Sequence, residues 1–89
     1  MSRLRTDPHA IAAKHGLTFD QLAAAVDRAK GPDSTIMADL YDQAAEAISS
    51  EQQLRRKIIV AYFAGHTMTE IAEATGRQRQ TIRRIISTP

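Results

Sequence analysis

Apolar residues recur at three- and four-residue intervals along most of this 89-residue chain, interrupted by glycines and by residues that cap helices. The clearest case is the C-terminal stretch TMTEIAEATGRQRQTIRRII, residues 67–86. Met68, Ile71 and Ala72 share one face of a short helix, Gly76 interrupts it, and Ile82, Ile85 and Ile86 resume the spacing. Thr67 followed by Glu70 has the capping-box pattern, so the first helix should start near Met68. Gly76 stands where a helix ends at positive φ, which a residue without Cβ adopts without steric cost. Ala72 is small where a second helix would cross closely. The pattern predicts a helix-turn-helix over 67–87.

The same grammar extends upstream. Ser50 can cap a helix over 51–64 carrying Leu54, Ile58, Ile59, Ala61, Tyr62 and Phe63, with Gln53 placed to complete a capping box and Gly65 to end the helix. This is expected to be the scaffold helix, its Ile58, Ile59, Tyr62 and Phe63 being core. Pro32, Asp33 and Ser34 form a turn and cap ahead of a helix over 34–49 with Ile36, Leu40, Ala44, Ala47 and Ile48 as its stripe, widened by Met37 and Tyr41. Asp39, Asp42 and Glu46 lie largely off that stripe, so this helix is acidic outside and is a candidate dimer interface. Residues 7–30 align with the C-terminal motif at an offset of sixty, pairing Ile11 with Ile71, Ala12 with Ala72, Gly16 with Gly76, Leu22 with Ile82 and Ala25 with Ile85. Asp7 and Pro8 suit a helix start, Gly16 a helix end and Thr18 the next cap, so residues 7–31 are expected to form a second helix pair. The fold class is all-α, a bundle of about five to six short helices in a single domain, preceded by a flexible arm over 1–6 that carries Arg3 and Arg5.

With the three isoleucines turned inward, the last helix exposes a carboxylate-free surface rich in hydrogen-bond donors. Arginine grips guanine bidentately, glutamine does the same for adenine, and threonine reaches a base edge or a phosphate. The N-terminal end of a recognition helix is the part that enters the major groove, so Gln78, Arg79, Gln80 and Thr81 are the base-reading candidates. Thr67, Arg77, Arg83 and Arg84 suit phosphate contacts. The basic cluster Arg55, Arg56 and Lys57 is open to two readings, a solvated face or phosphate contact; on the second, Arg55 and Lys57 join the phosphate-binding set. The outer face of the N-terminal pair instead offers Thr18, Asp20, Gln21, Ala24 and Asp27, whose carboxylates would repel phosphates, which favours a structural or partner-binding role.

Ile71, Ala72, Gly76, Ile82 and Ile85 resemble the helix-turn-helix superfamily of small bacterial, phage and plasmid regulators, and especially the final, DNA-binding region of sigma factors. The resemblance covers the last quarter to third of the chain. It departs from the usual pattern at Thr75 and Arg77, where apolar residues more often flank the glycine. It implies binding of double-stranded DNA, usually as a homodimer on a two-fold operator.

Charge segregates in the same sense. Residues 1–50 hold five Lys or Arg against seven Asp or Glu, whereas residues 51–89 hold seven against three, so the overall charge of +2 hides an acidic and a basic half. There is no cysteine, which excludes disulfides and thiolate zinc sites. No apolar run approaches a membrane span, and the start lacks a signal-peptide core, so a cytoplasmic location is expected. His9, His15 and His66 lack metal-ligand spacing, those beside glycines being read as solvated or capping groups, and no nucleophile has a base. No cofactor or metal and no enzymatic activity is expected. The sequence thus points to a DNA-binding transcriptional regulator of a mobile element, plasmid or phage, acting as repressor, activator or architectural protein. The alternative is a protein-binding module on the same scaffold that sequesters another regulator or touches RNA polymerase, its protein partner met by the acidic N-terminal half.

Overall fold

The computed structural model describes residues 6–46 and 50–88. Among them lie six helices and no strand: α1 (Pro8–Lys14), α2 (Phe19–Ala29), α3 (Ile36–Ala45), α4 (Glu51–Phe63), α5 (Met68–Thr75) and α6 (Arg79–Ile86). The all-α class expected from the sequence is the class observed. The expectations for Arg3 and Arg5, and for Ala47 and Ile48 at the end of the α3 stripe, lie outside the described residues.

Local capping explains where the helices begin. The Asp7 side chain accepts the His9 amide at 3.1 Å, with Pro8 in the first turn where its missing N–H is no loss. Thr18 with Gln21 and Thr67 with Glu70 form complete capping boxes. The box expected at α4 is half made: Ser50 Oγ accepts the Gln53 amide at 3.4 Å, but the Gln53 carboxamide oxygen is taken by Gln43 Nε2 at 3.3 Å. At α3 the N-cap position falls on Thr35, while Ser34 Oγ accepts the Ile36 amide at 3.3 Å.

The echo at an offset of sixty is present in the backbone. Gly16 and Gly76 both have positive φ, +78° and +68°. After each glycine the next amide turns back onto the helix just ended: Leu17 N–H donates to the Ala12 carbonyl at 2.8 Å, and Arg77 N–H to the Ala72 carbonyl at 3.2 Å. Ile11 and Ile71 are both fully buried, as are Leu22 and Ile82.

α4 is the hub, in contact with α2, α3, α5 and α6. Leu54, Ile58, Ile59, Val60 and Ala61 are buried on it, so its C-terminal half is apolar nearly all round while the polar residues gather in its first half. Ile58 and Ile59 are core as expected, and Tyr62 and Phe63 are half-buried against it. α3 packs on α4 and α5 and sends Leu40 fully into the same core. The described part of its expected apolar stripe is therefore packed within the chain, Ile36 and Met37 lying partly buried against the core, and Tyr41 is what α3 leaves exposed as a large apolar group, at 54%.

The N-terminal pair is tied to the rest by polar contacts at helix ends. Arg56 Nε donates to the His15 carbonyl at 2.8 Å and its Nη2 to the Gly16 carbonyl at 3.3 Å, capping the end of α1. Lys14 Nζ donates to the Arg84 and Ser87 carbonyls at 2.6 and 3.3 Å, placing a cation at the negative end of α6. His15, expected to be a solvated or capping group, is buried instead, and its Nε2 meets the Ile85 carbonyl at 2.9 Å. Burial pushes the His15 pKa down, opposed by the bond to Ile85 and reinforced by the charges of Lys14, Arg55 and Arg56. A neutral imidazole with its proton on Nε2 satisfies the carbonyl and adds no charge beside those three cations.

Candidate nucleic-acid interface

The surface of interest is built from α6 outward. Ile82, Ile85 and Ile86 are buried, which fixes the rotation of the helix and turns the polar positions out. Gln78, Arg79, Gln80, Arg83 and Arg84 are exposed and Thr81 is half-buried. The Gln78 side chain makes no capping bond with the α6 amides, although it holds the N-cap position. Three of the four residues expected to read bases thus stand open at the N-terminal end of α6, and the fourth lies at the edge of the packed face.

The flanks of α6 differ. On one side Arg79, Gln80 and Arg83 share a shallow depression with Met68 at the start of α5. On the other, Thr81 and Arg84 face a cleft completed by Lys14, His15, Glu51, Arg55, Arg77 and Ile85. Arg55 and Lys57, two positions apart on a helix, project to opposite sides of α4. Arg55 accordingly joins the α6 cleft, while Lys57 lines an open groove of about 560 Å³ with Arg28, Asp33 and Asp39 from the α2–α3 side. The structure brings Arg55, Arg77 and Arg84 together and leaves Lys57 apart from them.

Thr67 is engaged locally. Its hydroxyl accepts the Glu70 amide at 3.1 Å and donates to Glu70 Oε1 at 3.1 Å, and its own amide donates to the same oxygen at 3.1 Å. Those bonds, with His66 as a further partner 3.5 Å away, hold the Glu70 carboxyl below the usual carboxylate range. The anion position at the start of α5 is therefore filled by the chain's own carboxylate, and the Thr67 hydroxyl meets a phosphate only by giving up that bond.

Two features of this surface escaped the reading of the sequence. Glu51 pairs with Arg77 at 2.7 Å and with Arg55 at 3.5 Å. The i,i+4 spacing of Glu51 and Arg55 was a readable signal, whereas the Arg77 contact spans the α4–α5 connection and had none. Lys14 and His15 reach α6 from seventy residues away in sequence.

Helix α4 braces α5 and α6, the last two crossing at a glycine turn with an arginine-rich outer helix; these three helices make up a helix-turn-helix unit of the three-helix kind. Residues 49–88, which contain all three, match the family model of a homeodomain-like domain. No curated protein and no solved structure matches the chain significantly. Among the described residues no helix is long and apolar enough to cross a membrane.

Proposed function

We propose that this protein binds double-stranded DNA with α6 in the major groove and acts as a sequence-specific transcriptional regulator. The observation that carries the reading is the exposed face of α6: Gln78, Arg79, Gln80, Arg83 and Arg84, with no carboxylate, on the third helix of a homeodomain-like unit. Gln78, Arg79, Gln80 and Thr81 read base edges, and Arg77, Arg83, Arg84 and Arg55 hold phosphates beside them. The similarity to the final region of sigma factors rests on the five residues Ile71, Ala72, Gly76, Ile82 and Ile85, and a mobile-element, phage or plasmid setting belongs to the same proposal.

The described helices act as one unit in this reading, because Arg56 and Lys14 fasten the N-terminal pair to α4 and α6. Two copies on a two-fold site would meet through a surface remote from α6. Tyr41 on α3 offers exposed apolar area there, next to the acidic Asp42. The chemistry proposed is binding without catalysis, in a soluble, cytoplasmic protein.

Mobility shift on the DNA upstream of the protein's own gene, at two salt concentrations and with excess unrelated competitor, tests the reading. A surviving complex that weakens steeply with salt supports it, each neutralised phosphate contributing about 0.9 to the logarithmic slope. Failure to select any duplex from a random pool contradicts it and leaves the protein-binding module.

A further inference from the structure

Beside α6, the start of α4, the end of α1 and the α5–α6 turn enclose a cleft of about 250 Å³. Lys14, Arg55, Arg77 and Arg84 bring four cationic side chains to it from four segments of the chain, and Thr81 adds a hydroxyl. The carboxylate in its lining belongs to Glu51, which sits between two guanidinium groups: Oε2 takes Arg77 at 2.7 Å and Oε1 faces Arg55 at 3.5 Å. All three side chains keep contact with solvent, at 32% exposure for Arg77, 47% for Arg55 and 44% for Glu51. Lys14 is already committed to the α6 carbonyls and contributes its field more than a free hand.

We propose that this cleft seats a DNA backbone phosphate at the edge of the groove entered by α6, and that Glu51 occupies the seat in the free protein. The proposal rests on the DNA-binding reading above and adds a residue that works against it. A carboxylate and a phosphate each offer two acceptor oxygens, so a phosphate can bridge Arg77 and Arg55 as the two oxygens of Glu51 do. The exchange leaves Glu51 unpaired next to the charge of the duplex, which opposes binding. Phosphates are alike in every sequence, so Glu51 weakens attachment to any duplex, whatever its sequence. Arg55 and Arg77 accordingly contribute less to affinity than free arginines at the same positions.

The test is fluorescence anisotropy of the full chain on a labelled random-sequence duplex of about twenty base pairs, across a salt series. Glu51→Gln is expected to bind about two- to fivefold tighter at low salt, the range released by freeing exposed ion pairs. Its logarithmic salt slope should be steeper by up to about 0.9, because the seat then holds a phosphate in every complex instead of only in those where the phosphate displaces Glu51. Glu73→Gln makes the same change of charge on an exposed face of α5 and serves as control; it should give a smaller gain and the wild-type slope. Adding Arg77→Ala to Glu51→Gln should abolish the gain. Equal behaviour of the two glutamine variants, or weaker binding by Glu51→Gln with its helical circular dichroism intact, overturns the seat while leaving the DNA-binding reading in place. Absence of binding by every form overturns both.

Discussion

The N-terminal and C-terminal helix pairs use the same backbone devices and present opposite surfaces. In each, a buried isoleucine and alanine lead to a positive-φ glycine, a returning amide bond and a second helix, in which Leu22 and Val26 are buried at the positions of Ile82 and Ile86. Each also buries a polar residue just before the glycine: His15 bonds the Ile85 carbonyl, and Thr75 Oγ1 donates to the Ile71 carbonyl at 2.9 Å. On the outside they part. α2 exposes Asp20, Gln21, Ala24 and Asp27, whereas α6 exposes Gln78, Arg79, Gln80, Arg83 and Arg84. The buried positions specify a way to cross two helices, and the exposed ones decide what the crossing is for. A fold shared by both halves thus assigns function to neither until the charges are placed on it.

The largest effects should be common to the two pairs. Ile11→Ala and Ile71→Ala each remove a fully buried side chain and should each lower unfolding free energy by about 2–5 kcal/mol in urea titrations. A large loss at Ile71 beside a negligible one at Ile11 would show that the N-terminal pair is an appendage instead of part of the core. DNA affinity should then separate them. Arg79→Ala is expected to weaken binding by about 1–3 kcal/mol if its guanidinium holds a guanine, whereas Asp27→Ala should leave it equal or slightly tighter. Equal losses at the two positions would undo the division of labour.

The glycines sharpen the comparison at a smaller scale. A Cβ at Gly76 meets open space, so Gly76→Ala should cost only the left-handed backbone penalty, about 1–2 kcal/mol. Gly16→Ala should cost more, because its Cβ would stand 2.7 Å from the Arg56 guanidinium that caps α1. Thermal melts of both variants check the ranking.

What the sequence made legible was local. Thr67 with Glu70, Asp7 before Pro8, and the glycines all act within one turn of chain, and the isoleucine spacing fixes which side of α6 is polar. Contacts between distant segments were not legible. Nothing in the neighbourhood of Lys14 or His15 signals the carbonyls of Arg84, Ser87 and Ile85, and nothing around Arg56 signals the end of α1. The cluster Arg55, Arg56 and Lys57 shows the limit most clearly: one residue faces α6, one caps α1 and one lines the groove toward α2 and α3. Which does which depends on how α4 sits among its neighbours, and that is set by the whole core.

The smallest expected effect is on pH dependence, and it comes from the buried imidazole that joins the two pairs. The folded pKa of His15 is lowered, so the folded protein holds the imidazole neutral while the unfolded chain protonates it near 6.5. Protons therefore bind preferentially to the unfolded state below that value, and stability should fall as pH drops through about 6.5 and be unaffected by this group above about 7.5. His15→Gln keeps a donor for the Ile85 carbonyl and removes the titration. The difference in melting temperature between pH 7.5 and 5.5 should accordingly be smaller in the variant than in the wild type; an equal difference would place the proton elsewhere.

The most direct measurement of the central claim is an amide chemical-shift titration of the labelled protein with a duplex, because it compares the two pairs in a single experiment. The account predicts shifts concentrated at residues 77–84 and at Arg55, with residues 18–28 of α2 nearly unmoved. Shifts centred on α2 while α6 stays unperturbed would contradict it.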